Sequence, residues 1–141
     1  MEYYVNGIIK LAENAYDLDE IPVGAIIVKN NEIIGYGIND RNDKSSVIGH
    51  AEINAIEMAC KKIGDWWLDV CEMYVTLLPF MMCTGAIFES RIKKVYYLCD
   101  RTNVRFDGFE YVNLEKINDS ENCDKYMKLL RLFFENKRNK Q

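Results

Sequence analysis

Apolar and polar positions alternate along this chain with spacings that switch between those of helices and those of strands. An apolar residue recurs every three or four positions over residues 4–16, which predicts a helix with one buried face. Pro22 ends that pattern, and the apolar run 23–28 that follows predicts a buried strand. The Asn-Asn pair at 30–31 favours a tight turn, so residues 32–37 are expected to return as a hairpin partner.

The remainder of the chain continues the same alternation after a polar surface loop at 39–48. The pattern predicts helices over 51–62, 82–91 and 121–138, and strands over 73–78 and 94–98. Strands joined by short helices imply right-handed crossovers and a partly parallel sheet covered by helices on both faces. The segment 100–124 has no assignable pattern, so a fifth strand is left open.

Composition is that of one compact domain spanning residues 1–141, with 49% hydrophobic and 28% charged residues and no repeat or linker. The apolar runs are far shorter than the roughly 18 residues that cross a bilayer, and the N-terminus does not resemble a secretory signal. Five irregularly spaced cysteines do not suggest a disulfide framework. We therefore expect a cytoplasmic protein in a reducing environment.

Charge is unevenly distributed between the two ends of the chain. The net charge is −4, but residues 125–141 hold six Lys and Arg against one acid, so that this tail carries +5 and residues 1–124 carry −9. Lys137, Arg138 and Lys140 are candidates for contacts with nucleic-acid phosphates. The alternative is a solvated helix end whose basic residues complement the helix dipole.

Two short motifs carry the candidate chemistry. His50-Ala51-Glu52 opens one predicted helix, and Pro79-Phe80-Met81-Met82-Cys83 leads into another. Zinc deaminases carry H-x-E followed at a distance by P-C-x-x-C, in which the histidine and both cysteines hold the metal and the glutamate moves protons. This chain matches that signature except at Phe80, which stands where the first cysteine belongs.

The wider sequence around these motifs resembles that of bacterial tRNA adenosine deaminases, members of the cytidine and deoxycytidylate deaminase superfamily. The resemblance covers the stretch 74–92, the segment 22–25, Gly37-Ile38-Asn39 and the Phe133-Phe134 pair, and so nearly the full chain. The segment 100–124 departs from that family, because it is shorter and has Asp100-Arg101 in reversed order.

The resemblance implies a three-layer α/β/α fold with a mixed five-stranded sheet, a homodimer or a heterodimer with a related subunit, and tRNA as the partner. It implies hydrolytic deamination of the wobble adenosine to inosine, in which Zn²⁺ activates a water molecule. It also assigns roles to residues: His50 and Cys83 as zinc ligands, Glu52 as the proton carrier, Asn39, Ala51 and Pro79 at the substrate, and Phe133, Phe134, Lys137 and Arg138 at the tRNA. The alternative role of Asn39 is to close the hairpin turn.

The departure at Phe80 weakens the expected zinc site. A phenyl ring offers no lone pair, and catalytic zinc normally has three protein ligands. Losing one ligand is expected to weaken zinc binding on the order of a hundredfold. Leu78 replaces a glutamate of the family, so we expect Phe80 and Leu78 to fill the metal pocket. Cys99, at the end of the fourth strand, is the candidate surrogate ligand.

Two functions from different classes follow from this pattern. The first is a working or weakened tRNA deaminase, and the second is a zinc-free relative that binds tRNA or a nucleotide or serves as a non-catalytic subunit. Deamination of a free nucleobase or nucleoside is a further alternative, since those enzymes share the motif. Trp66 and Trp67 are candidates for stacking a base or for packing, and Arg101 and Arg105 are expected near the pocket mouth.

Overall fold

The computed structural model describes residues 1–102, 104 and 107–139. Arg105 and Lys140, which the sequence singled out, lie outside the described residues. The helices are α1 (Glu2–Asp17), α2 (Arg41–Lys44), α3 (Ala51–Ile63), α4 (Met81–Ser90) and α5 (Ser120–Asn139), with one 3₁₀ turn at Phe109–Tyr111. The strands are β1 (Gly24–Lys29), β2 (Glu32–Ile38), β3 (Glu72–Leu77), β4 (Lys94–Cys99) and β5 (Leu114–Lys116).

The five strands form one mixed sheet in the order β2-β1-β3-β4-β5. Strand β1 runs antiparallel to both β2 and β3, whereas β3, β4 and β5 are parallel to one another. One face of the sheet packs on α3 and α4, and the other packs on α1 and α5. The three-layer α/β/α architecture and the five-stranded mixed sheet implied by the resemblance are therefore confirmed.

The hairpin between β1 and β2 forms as the Asn-Asn pair predicts. Asn30 and Asn31 have φ values of 49° and 64°, the left-handed conformations that a two-residue hairpin turn requires at both central positions. Three elements were not predicted from the apolar pattern. The polar loop at 39–48 contains the single-turn helix α2, and the segment 100–124 contains the 3₁₀ turn and β5, which has only three residues.

Two glycines of β2 determine how closely α3 approaches the sheet. A Cβ atom on Gly37 would overlap the carbonyl oxygen of Ala51, and one on Gly35 would lie 2.5 Å from that of Ala55. Because neither residue has a side chain, the backbone of α3 lies directly on the strand. This contact fixes the position of the first turn of α3 against the end of the sheet.

The last helix is anchored to the start of the first strand by one buried hydrogen bond. The Tyr126 hydroxyl of α5 donates to the carbonyl oxygen of Pro22 at 2.6 Å, and the whole Tyr126 side chain is buried. Phe133, about two turns further on, is buried against Tyr16 of α1. Helix α5 is thus fixed against both α1 and the segment that enters β1.

Cys99 is placed differently from the sequence-based expectation. Its sulfur is bonded to that of Cys123 in α5, on the face of the sheet that packs on α1 and α5, whereas Cys60, Cys71 and Cys83 are free. Cys99 is therefore not available as a surrogate zinc ligand.

Among the described helices, none combines the length and apolar character needed to cross a membrane.

Candidate active site

The N-termini of α3 and α4 bring three polar side chains together. His50 occupies the N-cap position of α3 and Glu52 lies in its first turn, while Cys83 lies in the first turn of α4. One ligand atom from each of the three lies within 4.8 Å of those of the other two. The Cys83 sulfur is 3.5 Å from Nδ1 of His50. The sequence motifs, 33 positions apart at His50 and Cys83, thus form one cluster.

Asn39 determines the conformation at the start of α3. Its Oδ1 accepts a hydrogen bond of 2.7 Å from the backbone N–H of Ala51, which is one of the free amides at that helix end. Asn39 itself is buried and follows β2, so the hairpin and α3 are joined at this point. This bond engages the carbonyl side of the Asn39 amide, so its Nδ2 group is the part that remains for another acceptor.

The protonation states of the cluster follow from its burial. Burial raises the pKa of Glu52 from 4.5 to about 7, against the opposing effects of hydrogen bonds from its own backbone N–H and Cys83 and of the Arg101 charge. Burial, together with the nearby Glu52 carboxylate, also raises the pKa of the Cys83 thiol. Partial burial and then the Arg41 charge lower the pKa of His50. Glu52 is therefore a carboxyl group that can both hold and release a proton near neutral pH.

Phe80 and Arg101 form a contact that the motif did not predict. The Arg101 guanidinium carbon lies 3.9 Å from the centre of the Phe80 ring, and the Arg101 side chain is 5% exposed. Nε and Nη2 of Arg101 donate to the carbonyl oxygens of Leu78 and Pro79 at 2.9 and 2.8 Å. Nη2 also lies 2.8 Å from Oδ1 of Asp107. Arg101 therefore fixes the corner between β3 and α4.

Phe80 does not fill the former ligand position as the sequence suggested. Its side chain is 48% exposed, because the ring leans on Arg101 and borders a cavity. Leu78 is buried at the same wall, with its N–H bonded to the carbonyl oxygen of Cys99. Leu78 and Phe80 therefore both line the cavity, but Leu78 is buried whereas Phe80 is half-exposed.

A cavity of about 480 Å³ opens beside the cluster. Its polar wall comprises Asn39, Arg41, His50, Glu52 and Arg101. Leu130 and Phe134 of α5 also line the cavity, together with the apolar residues Ile21, Val23, Leu77, Leu78 and Phe80. A concave, mainly apolar site with a few convergent polar groups is the usual form of a small-ligand pocket.

The C-terminal residues assigned to tRNA occupy different environments. Phe134 is half-exposed at the cavity, whereas Phe133 is buried against α1. Lys137 lies 2.7 Å from Asp19 at the end of α1, and Arg138 is exposed. Phe133 therefore packs the helix against the body of the protein, while Arg138 at its basic end is exposed.

The other predicted site residues contribute backbone groups or lie elsewhere. Ala51 is buried and its N–H is taken by Asn39, and Pro79 is buried with its carbonyl bonded to Arg101. Neither lines the cavity. Trp66 and Trp67 are exposed at the end of α3, in edge-to-face contact with each other, and Arg91 lies over the Trp67 ring. They are not part of the cavity wall.

Sequence reasoning located Arg101 near the pocket but did not foresee its role, and it missed Arg41. For Arg101, the sequence feature that pointed to an unusual role was the reversed order of Asp100 and Arg101. For Arg41 there was no signal, because a basic residue in a polar loop is ordinarily solvated.

The chain is similar to known proteins in both sequence and fold. Residues 1–99 match the sequence profile of the cytidine and deoxycytidylate deaminase zinc-binding region. The chain belongs to this family.

Among its relatives, a tRNA-specific adenosine deaminase from Bacillus subtilis (strain 168) is 43% identical over 96 residues, covering 68% of this chain and 60% of that protein. One from Buchnera aphidicola subsp. Schizaphis graminum (strain Sg) is 36% identical and covers 96% of this chain and 95% of its own length. The chain thus spans less than two thirds of the Bacillus protein.

Two solved structures share the fold over most of their length. One, from studies of A-to-I editing by tRNA:A34 deaminases at the wobble position of transfer RNA, superposes with a TM-score of 0.84 at 26% identity, covering 89% of this chain and 99% of that one. A guanine deaminase from Bacillus subtilis superposes with a TM-score of 0.69 at 29% identity, covering 90% and 91%.

The donor atoms of the cluster fit zinc in part. Bond lengths of about 2.0–2.1 Å to nitrogen and 2.3 Å to sulfur place the two atoms about 3.6 Å apart on one tetrahedral ion. The 3.5 Å between His50 Nδ1 and Cys83 Sγ agrees with that spacing. Phe80 supplies no donor, and Glu52 is the remaining oxygen within reach. A zinc ion would therefore be held by His50 and Cys83, with Glu52 either free for proton transfer or recruited as a third ligand.

The raised pKa of Glu52 predicts a pH-dependent stability. Since the folded-state pKa is about 7 and the unfolded value is 4.5, the folded protein holds the proton more tightly. This contribution is complete below pH 4.5 and is lost as the pH rises through 7, a change of about 3 kcal/mol. In metal-free protein, Glu52→Gln should remove this dependence, so that the variant gains on the unmodified chain between pH 5 and 8. Urea unfolding at each pH measures it.

Glu57→Gln, an exposed change on the same helix, serves as the control and should follow the unmodified chain. A difference between Glu52→Gln and the unmodified chain that stays constant from pH 5 to 8 would contradict the assignment of a raised pKa to Glu52.

Proposed function

We propose that this chain binds the wobble adenosine of a tRNA in the cavity and deaminates it hydrolytically to inosine. The observation that carries this proposal is the convergence of His50, Glu52 and Cys83 into one cluster. His50 and Glu52 of that cluster lie on the wall of a cavity that Asn39 also lines. The names of the relatives supply the substrate class, since both quoted relatives are called tRNA-specific adenosine deaminases.

Each polar residue of the cavity has a separate task in this proposal. His50 and Cys83 would hold zinc, and the bound metal would supply a water molecule acidic enough to ionise near neutral pH. Glu52 takes one proton of the attacking water and delivers it to the ring nitrogen as the bond from oxygen to C6 forms. It then transfers the second water proton to the amine as the bond from C6 to that nitrogen breaks, so that ammonia leaves. Asn39 donates from Nδ2 to the base, because its Oδ1 is already bonded to Ala51.

The α5 helix extends the site toward the rest of the tRNA. Phe134 closes the cavity and Arg138 is exposed beyond it, so a nucleotide in the cavity has the basic helix end beside it. We assign phosphate contacts to Arg138 and to Lys137, the latter in exchange for its present contact with Asp19. Phe133 supports this surface by packing. Cytoplasmic location follows as part of the same proposal, because the substrate is tRNA.

Phe80 limits the rate of this reaction, because the zinc site has lost one of its three usual protein ligands. We therefore expect slower turnover than in relatives that carry cysteine there. A second function, a zinc-free protein that binds tRNA or a nucleotide or supports an active subunit, is favoured by the Phe80–Arg101 contact. Deamination of a free purine is favoured by the structural likeness to a guanine deaminase.

Association with a second subunit is supported by the apolar surface of α4. Met81, Phe88 and Tyr111 are exposed around a groove of about 530 Å³ between α4 and the 3₁₀ turn. Exposed apolar groups of this size that cluster in one groove mark interaction surfaces. We propose that this surface pairs with a second copy of the chain or with a related subunit.

The first prediction of this proposal concerns the reaction itself. The purified, zinc-supplemented chain should form inosine at the wobble position of an adenosine-containing tRNA transcript, and Glu52→Gln should abolish the activity because the proton carrier is lost. Sequencing the product for A-to-G changes measures it. Glu57→Gln should remain active. Release of ammonia from free adenosine or guanine but not from tRNA would favour the free-purine alternative, and binding without product would favour the zinc-free one.

The second prediction concerns metal affinity. Phe80→Cys restores the missing thiolate beside His50 and Cys83, so it should bind zinc on the order of a hundredfold more tightly than the unmodified chain. Competition with a chromophoric chelator measures the affinity. Phe88→Cys adds a thiol on the exposed face of the same helix and should bind zinc like the unmodified chain. Equal affinities of Phe80→Cys and the unmodified chain would show that a third ligand is already present.

The third prediction concerns assembly. The chain should be a dimer at micromolar concentration, and Phe88→Glu should shift it toward the monomer by placing a charge in the apolar groove. Light scattering coupled to size exclusion measures the mass. Phe134→Glu places the same charge outside the groove and should leave the mass unchanged. A monomeric unmodified chain would contradict self-association and leave a related subunit as the partner to test.

A further inference from the structure

Phe80 has the features of a binding surface. Its ring is half-exposed on the cavity wall, and one side of it is covered by a guanidinium that is itself almost completely buried. A residue that merely replaced a lost ligand would be expected to bury its ring between His50 and Cys83. Instead the ring is half-exposed with Arg101 over one face, and the donor atoms of His50, Glu52 and Cys83 lie within 4.8 Å of one another.

The ring is held rigidly from both its backbone and its covered face. Phe80 is the N-cap residue of α4, and its carbonyl oxygen accepts hydrogen bonds from the Thr84 N–H at 2.9 Å and the Thr84 hydroxyl at 3.0 Å. Arg101 is fixed in turn by Leu78, Pro79 and Asp107. A preorganised ring loses little conformational entropy when a ligand packs on it.

The geometry points to Phe80 as a stacking platform for the purine base that enters the cavity. This inference rests on the proposed function and specifies how the base is held. Aromatic rings bind bases through their π-faces without any need for metal, and a purine offers the larger face. Asn39 and Glu52 line the same cavity and supply hydrogen-bonding groups for the edge of the base. The residue that removes a zinc ligand thereby adds a base contact.

The guanidinium behind the ring accounts for the placement of Arg101. Its Nη1 is buried and has no hydrogen-bond partner among the described residues. A buried donor without a hydrogen bond costs free energy, so another interaction of the Arg101 guanidinium must offset that cost. Contact with the π-face of Phe80 at 3.9 Å supplies one part of that gain, and it makes Arg101 a positioning residue for the platform.

Binding measured without metal tests this inference. The probes are two anticodon stem-loop RNAs that differ only at the wobble position, one with adenosine and one with an abasic nucleotide, in buffer containing a chelator. Phe80→Leu should weaken binding of the adenosine RNA roughly five- to a hundredfold and that of the abasic RNA less than about twofold, because only the former presents a base to stack. Phe80→Tyr keeps the ring and should restore tight binding.

Tyr36→Leu is the matched control, since Tyr36 is similarly exposed but borders a different cavity. It should bind both RNAs like the unmodified chain. The same loss for free adenosine with Phe80→Leu would support the platform for the nucleoside alone. Equal losses for the adenosine and abasic RNAs would overturn the inference, as would an unmodified chain that binds both RNAs equally, a result that needs no variant.

These outcomes are separate from those of the deamination assay, because no turnover is measured. A chain that forms no inosine but discriminates the two RNAs through Phe80 keeps the platform and loses the reaction. A chain that forms inosine without this discrimination keeps the reaction and loses the platform.

Discussion

The close contact between β2 and α3 is the constraint on which the site depends. Two glycines allow the helix backbone to lie on the strand without an intervening layer of side chains. That contact brings the first turn of α3 to the end of the sheet, where Asn39 binds the Ala51 amide. His50 and Glu52 then face the first turn of α4, which follows β3 directly. A wider spacing between β2 and α3 would move two of the three donor groups away from Cys83.

Most of the fold could be predicted because its elements carry strong local signals. The Asn30-Asn31 turn, the apolar run of β1 and the helical spacing of α1 each determine structure over a few residues. Strand β5 could not be predicted from the local apolar pattern, because it has three residues, of which Glu115 and Lys116 are exposed. Such a strand exists through its pairing with β4, which is a tertiary interaction.

In the candidate site too, residues within a local motif were predicted, whereas features that depend on distant contacts were not. His50, Glu52 and Cys83 were found because they form a motif with a chemical reason for its spacing. The orientation of the Phe80 ring was not, because it depends on Arg101, which is 21 positions away in a segment without a pattern. The Cys99–Cys123 disulfide was not predicted either, because the irregular spacing of the cysteines does not identify which of them pair. A residue whose role depends on partners far away in the chain leaves no local sequence pattern from which that role could be predicted.

The cavity has one wall made by the last helix, with Leu130 and Phe134 on it and Tyr126 holding it to Pro22. The sheet, α3 and α4 all precede this helix in the chain, so during synthesis the motif residues can meet before the cavity exists. The pocket is closed only after residues 120–139 have left the ribosomal tunnel and α5 has docked. A nascent chain can therefore assemble its donor cluster before the cavity wall formed by Leu130 and Phe134 is in place.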